Sequence, residues 1–212
     1  SVNDVPTLTG TAATLSAGTE DTAYVIRVSD LLKGYTDADE GDTLSIANLT
    51  TSRGTLVNNN DGTYTLNLPA NYNGPVQLSY GVTDGIATTN TTQSFNVTSV
   101  NDVPTLTGTA ATLSAGTEDT TYTVTAADLL KGYTDVELSS LTITNLTPSV
   151  GTIVNNNDGT YTITPPANYY GAVTLNYGVS DGTDTTAATQ SFTITSVNDV
   201  PTLTGTAATL SA

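Results

Sequence analysis

The side chains of this sequence that could do chemistry are carboxylates, and they gather where loops are expected. They occur at Asn3-Asp4, at Glu20-Asp21, in the run Asp37, Asp39, Glu40 and Asp42, and at Asp84. The series returns as Asn101-Asp102, Glu118-Asp119, Asp135, Glu137 and Asp181, and Asn198-Asp199 opens it a third time. A single loop acid is ordinarily a solvated turn residue or a cap. Several acids brought together raise one another's pKa or force the loops apart, unless a hard cation neutralises them. Oxygen donors without nitrogen or sulfur suit calcium. The other chemistry open to paired carboxylates is acid–base work, as in glycoside hydrolysis. Nothing else supports it: only Arg27, Lys33, Arg53 and Lys131 are basic, no nucleophile motif occurs, and tandem near-copies replace a unique cleft. The chain is expected not to be an enzyme.

Composition narrows the partners. The 212 residues carry 20 acidic and 4 basic side chains, a net charge of -16, with no Cys and no His. That balance repels nucleic-acid phosphates and anionic lipid, so neither nucleic acid nor direct membrane contact is expected. Disulfides, thiolate chemistry, zinc sites and a Ser-His relay are excluded by inventory. No signal peptide and no apolar run approaching about 18 residues appears, so this stretch is expected neither to span a membrane nor to carry its own export address.

The elements that must position the acids are repeated units. Ser1 to Thr22 recurs letter for letter as Ser99 to Thr120, and its first 17 letters return at Ser196 to Ala212. DLLKGYTD recurs at Asp30 and Asp128, and NNNDGTYT at Asn58 and Asn155. A unit of about 100 residues buries its own core, unlike a short solenoid repeat.

Runs rich in Thr, Val, Ile, Leu and Tyr, punctuated by Gly, Asn, Asp and Pro, read as strands. In the first repeat they fall at Thr7 to Leu15 (broken at Gly10), Thr22 to Val28, Thr43 to Leu49, Gly54 to Val57, Thr63 to Leu68, Val76 to Thr83 and Thr88 to Ser99. Apolar residues at alternate positions in Tyr64-Leu66-Leu68 and Val76-Leu78-Tyr80-Val82 mark one-sided strands. NNNDG at 58–62 supplies residues that tolerate positive φ and so reads as a hairpin. One helical turn is expected at Asp30 to Lys33, burying Leu31 and Leu32 before Gly34. Seven strands per repeat point to an immunoglobulin-like sandwich. Alternate loops of such a sandwich share one end, so Asp37, Asp39 and Asp84 can converge there with the preceding linker.

NDVP at a junction, TED shortly after it, an Asp-x-Asp turn and a strand ending in GVTDG or GVSDG resemble cadherin repeats. They resemble still more closely the cadherin-like tandem repeats of large bacterial adhesins. The pattern GTL…NNDGTYT…P-x-N-Y-x-G…Y-x-V-x-DG is similar to extender domains of RTX-type adhesins, over nearly the whole chain. The resemblance implies Ca2+ between successive domains. Carried over, the central junction would use Glu20, Asn101, Asp102, Asp135, Glu137 and Asp181. The upstream junction would use Asn3, Asp4, Asp37, Asp39 and Asp84, and Glu118, Asn198 and Asp199 would serve a downstream one. The second repeat departs from the pattern, with Glu137 for Asp39 and Ser139-Ser140 for Gly41-Asp42. The Asp-Arg-Glu segment that completes cadherin sites has no counterpart, so one or two ions per junction are expected. The glycine-rich calcium nonapeptide of RTX β-rolls is also absent.

Other signals read as structure. Irregularly spaced Thr reflects β propensity rather than an ice-binding array. Tyr72, Tyr169 and Tyr170 in the PANYNG and PANYYG turns read as core plugs rather than sugar platforms. The Asn-x-Thr triplets at Asn48, Asn90, Asn96 and Asn145 are expected by chance in an Asn- and Thr-rich chain.

The expectation is therefore all-β: two tandem immunoglobulin-like, cadherin-like, seven-stranded β-sandwich domains at 1–100 and 101–198, with 199–212 the first-strand stub of a third. The function the resemblance implies is a calcium-rigidified spacer of a bacterial surface adhesin, extracellular, monomeric in solution, contacting calcium and neighbouring repeats. The alternatives are a glycan- or protein-binding adhesion module and a eukaryotic cadherin-like cell-contact domain.

Overall fold

The computed structural model describes residues 2–39, 41–202 and 205. The chain divides into two compact units, Ser1–Val100 and Asn101–Ala212. In the first the elements run β1 (Thr7–Leu8), β2 (Gly18–Thr19), β3 (Tyr24–Arg27), α1 (Val28–Leu31), β4 (Tyr35–Thr36), β5 (Ser45–Thr51), β6 (Thr55–Asn58), β7 (Thr63–Asn67), β8 (Gly74–Thr83) and β9 (Thr88–Thr98). One sheet has the order β2-β9-β8-β5 and the other β3-β7-β6, while β1 pairs with β4. All these pairings are antiparallel except β2 with β9.

Alternation places the core between the two sheets. Val76, Leu78, Tyr80 and Val82 of β8 and Phe95 and Val97 of β9 are buried, facing Ile26 of β3 and Leu66 of β7. Tyr24 stacks on Phe95 with centroids 4.0 Å apart. Burying side chains of this size stabilises a fold by about 1.5–3 kcal/mol each.

The second unit repeats the plan with β10 (Thr105–Leu106), β11 (Gly116–Thr117), β12 (Tyr122–Thr125), α2 (Ala126–Leu130), β13 (Tyr133–Thr134), β14 (Thr142–Pro148), β15 (Thr152–Asn155), β16 (Thr160–Thr164), β17 (Gly171–Ser180) and β18 (Thr185–Thr195). Its sheets have the orders β11-β18-β17-β14 and β12-β16-β15, with β10 on β13. Val124, Ile163, Val173, Leu175, Val179, Phe192 and Ile194 form its core.

The all-β, tandem-sandwich architecture agrees with the sequence. Its details differ at the first strand and at the helical turn. The expected first strand does not run from Thr7 to Leu15: β1 stops after two residues because the N–H groups of Thr9 and Gly10 both donate to the Gly34 carbonyl. That crossing needs glycine on both sides, since a Cβ on Gly34 (φ +86°) would lie 2.9 Å from the Thr11 backbone. The chain then reaches the other sheet as β2, parallel to β9. The helical turn begins at Val28 rather than Asp30, directly after the extended Arg27. In the second unit the side chain of Thr125 caps it, accepting from the Asp128 N–H, so Asp128 sits inside the turn rather than at its start. The hairpin at 58–62 forms as expected, with Asn60 and Gly62 both at positive φ. The segment 199–212 lies for the most part outside the described residues.

Candidate metal centre

In the first unit three chain segments bring oxygen atoms to one end of the sandwich: the entry segment at Asn3-Asp4, the loop between β4 and β5, and the turn between β8 and β9. The turn is rigid because Asp84 Oδ1 accepts from the N–H groups of Ile86 and Ala87, both at 2.7 Å. Its Oδ2 accepts from Asn3 Nδ2 at 3.0 Å. The Ala87 N–H, the Asn3 amide and the Ile86 N–H together hold Asp84 below the usual carboxylate range. Asp39 Oδ2 accepts from the Asp4 N–H at 2.8 Å, and Asp37 Oδ1 accepts from the Asp39 N–H at 2.9 Å.

A close carboxylate triple results, though not the one the spacing suggested. Asp37, Asp42 and Asp84 each offer an oxygen, and the three lie within 4.8 Å of one another. Asp37 Oδ2 is buried without a hydrogen-bond partner. Asp42 is pushed up by desolvation and then by the charges of Asp37, Asp39 and Asp84. The loop residues 37–44 and 84–87 include no Lys or Arg. Three converging carboxylates, one of which also holds a buried oxygen without a hydrogen-bond partner, fit a divalent cation with oxygen preference. Asp42 was visible in the acidic run but was not singled out as a ligand; its signal is the turn at Gly41 (φ +98°), which folds the loop back on Asp37.

The second unit repeats the framework with different oxygens. Asn101 Nδ2 donates to Asp181 Oδ2 at 2.9 Å and to Asp184 Oδ2 at 3.0 Å. Asp181 Oδ1 accepts from the N–H groups of Thr183 and Asp184, and the Asp184 N–H and Asn101 amide hold Asp181 below the usual range. The Asp102 N–H donates to Glu137 Oε2 at 3.1 Å. Asp135 is buried, its Oδ1 accepting from the Ser139 N–H and its Oδ2 without a hydrogen-bond partner. Among the described residues no three carboxylates of this unit converge as closely as Asp37, Asp42 and Asp84. Asp184 was missed from the sequence. The signal was a difference between near-copies, DGTD at 181–184 against DGIA at 84–87.

The two buried glutamates hold backbone. Glu20 Oε1 accepts from the Val100 N–H at 2.6 Å, and its Oε2 accepts from Asn73 Nδ2 at 3.4 Å. Glu118 Oε1 likewise accepts from the Val197 N–H. Each therefore fixes the end of its unit's last strand, next to Asn101 in one case and Asn198 in the other. Asn198 donates to the Asp199 carbonyl at 3.0 Å.

The sequence profile of the cadherin-like domain family matches residues 2–98 and again 100–195. No curated protein sequence matches the chain. Among solved structures, human protocadherin-24 EC1-2 is similar in fold, with 13% identity over 94% of this chain and 100% of that one and a TM-score of 0.51. An endo-fucoidan hydrolase from glycoside hydrolase family 107 aligns at 24% identity over 91% of this chain, with a TM-score of 0.35. The chain spans 29% of that hydrolase's length. Among the described residues no helix is long and apolar enough to cross a membrane.

Proposed function

The chain belongs to the cadherin-like domain family, and from that premise we propose that it is a calcium-stiffened spacer of a bacterial surface adhesin of the RTX type. In this reading residues 1–100 and 101–198 are successive extender repeats on the outside of the cell, holding a distal binding module away from it and catalysing nothing.

The observation that carries the reading is the un-neutralised oxygen cluster at Asp37, Asp42 and Asp84, with the Asp37 oxygen buried and unpartnered. Neighbouring carboxylates at that spacing repel one another, and Ca2+ removes the repulsion while using six to eight oxygen ligands. The linker dipeptides Asn3-Asp4 and Asn101-Asp102 are tied by hydrogen bonds to the same loops in each unit. An ion bound there takes its ligands from linker and domain at once and removes hinge freedom. Glu20, Asn101, Asp102, Asp135, Glu137 and Asp181 are the ligands proposed for the central junction. Asn3, Asp4, Asp37, Asp39, Asp84 and Asp42 are those proposed for the upstream one. Glu118, Asn198 and Asp199 await a following repeat.

Small-angle scattering on the whole chain tests the proposal. Calcium should narrow the distribution of intramolecular distances relative to EDTA, and Asp102→Ala should show the EDTA curve in calcium while both cores stay folded. Superimposable curves with and without calcium would remove the stiffening role.

A further inference from the structure

We propose that Asn73 is a self-modifying site: its side-chain amide is lost to attack by the Gly74 backbone nitrogen, and the carboxylate that replaces it faces the buried Glu20. Asn73-Gly74 is the only Asn-Gly step in the 212 residues. It closes the PANYNG turn, in which the Tyr72 N–H donates to the Pro69 carbonyl at 3.3 Å, and leads directly into β8.

Local geometry favours the reaction. Asn73 is exposed, so water reaches it and ammonia can leave. Gly74 has no side chain to hold its nitrogen away from the Asn73 Cγ. The space around it is open, the nearest neighbour of a Cβ placed there being the Tyr72 hydroxyl at 3.7 Å. Gly74 is also the first residue of β8, paired with Val97, and a terminal pair frays ahead of the strand's interior. Fraying frees the nitrogen to turn onto the Cγ.

The chemistry needs only water. The Gly74 nitrogen forms a bond to the Asn73 Cγ, the Cγ–Nδ2 bond breaks, and ammonia departs with the proton the nitrogen gave up, leaving a cyclic imide. Water then opens the ring. Cleavage between Cγ and nitrogen gives an aspartate, and cleavage between the backbone carbonyl and nitrogen gives an isoaspartate, whose main chain is longer by one methylene. Either product exchanges a neutral amide for a carboxylate, with nothing oxidised or reduced.

Glu20 makes the exchange destabilising. Its side chain is buried, with Oε1 accepting from the Val100 N–H at 2.6 Å and Oε2 from Asn73 Nδ2 at 3.4 Å. The reaction turns that donor into a second anion beside a charge already withdrawn from water, where like charges repel more strongly than in solvent. The repulsion falls where Glu20 holds the chain after β9. The second unit carries Tyr170 before Gly171 at the equivalent turn, exposed rather than plugged into the core, so the reaction is closed to it. One repeat therefore ages at this turn and its near-copy does not.

Peptide mapping of the whole chain, incubated in mildly alkaline buffer with EDTA, tests the reaction. The peptide holding Asn73 should gain the mass of an NH2-to-OH exchange ahead of every other Asn peptide, and isoaspartyl methyltransferase should label it. Asn73→Gln should abolish both signals there. An intact amide at Asn73 while other Asn react, or reaction of all Asn at one rate, would overturn the assignment. Asn73→Asp tests the consequence: its urea midpoint in EDTA should fall, and the fall should vanish in a Glu20→Gln background, where the side chain still offers an oxygen to the Val100 N–H. Aged wild-type chain, separated from unreacted chain by ion exchange, gives the same reading should the variant fold poorly. An unchanged midpoint, as when Arg53 over the Tyr72 ring neutralises the new charge, or an equal fall in both backgrounds would overturn the clash with Glu20. Every arm is run in EDTA, so failure of the calcium reading leaves these outcomes readable.

Discussion

Asn101 donates to the Asp181 carboxylate at 2.9 Å, as Asn3 does to Asp84 at 3.0 Å, across sequence separations of 80 and 81 residues. In each unit an amide at the entry is thereby locked to the turn that joins the two long core strands, β8 to β9 or β17 to β18. The amide orients the carboxylate while the turn's backbone N–H groups keep it charged. A cation arriving there meets oxygens already in place, and little ordering is left to oppose binding.

Asp84 and Asp181 make acid a destabilising condition. Both are depressed in the folded state, so their contribution is present above the unfolded value near about 4 and is lost as pH falls through the folded value. Urea titrations in EDTA should show stability declining below that point, and Asp84→Asn should flatten the decline.

Asp42 has the opposite sign. Its folded pKa is raised, so its charge opposes folding: the penalty is absent below the unfolded value and grows as pH rises through the folded one. Asp42→Asn should raise the melting temperature in EDTA and shrink the gain that calcium gives. A variant that loses stability in both conditions would show Asp42 to be a structural group instead.

Glu20 is buried and accepts from the Val100 N–H at 2.6 Å. Glu20→Ala leaves that donor without its acceptor and should cost about 1–3 kcal/mol in EDTA, where no ion contributes. Denaturant unfolding measures it, with unchanged stability as the contrary result.

Tyr80 and Tyr177 are pushed up to about 12 by burial, their hydroxyls donating to the carbonyls of Leu31 and Leu129. A raised tyrosine contributes stability that is intact below the unfolded value near about 10 and lost as pH rises through the folded one. Ultraviolet titration should show two of the 11 tyrosines ionising last, together with unfolding. Tyr80→Phe should cost about 0.5–1.5 kcal/mol at neutral pH.

The sandwich was legible because it rests on period-two alternation, as in Val76-Leu78-Tyr80-Val82, and on Asn-Asp-Gly turns whose backbone needs are local. The strand switch at Gly10 was only half legible. The break shows in the glycine, but the partner that stops β1 is the Gly34 carbonyl, distant in sequence. Asp42 beside Asp37 and Asp84 was illegible for a similar reason: spacing places acids on a loop, and only the loop's fold decides which oxygens meet. Asp184 and the Asn73/Tyr170 difference needed the two repeats to be compared position by position.

Calcium titration calorimetry on the whole chain, beside the Asp37→Asn variant, tests the account most directly. Saturable binding is predicted, weakened or lost at one site in Asp37→Asn, and accompanied at a hundredfold excess over the dissociation constant by about 2.7 kcal/mol of added stability per site. Absence of binding heat, together with identical unfolding curves in calcium and EDTA, would contradict it.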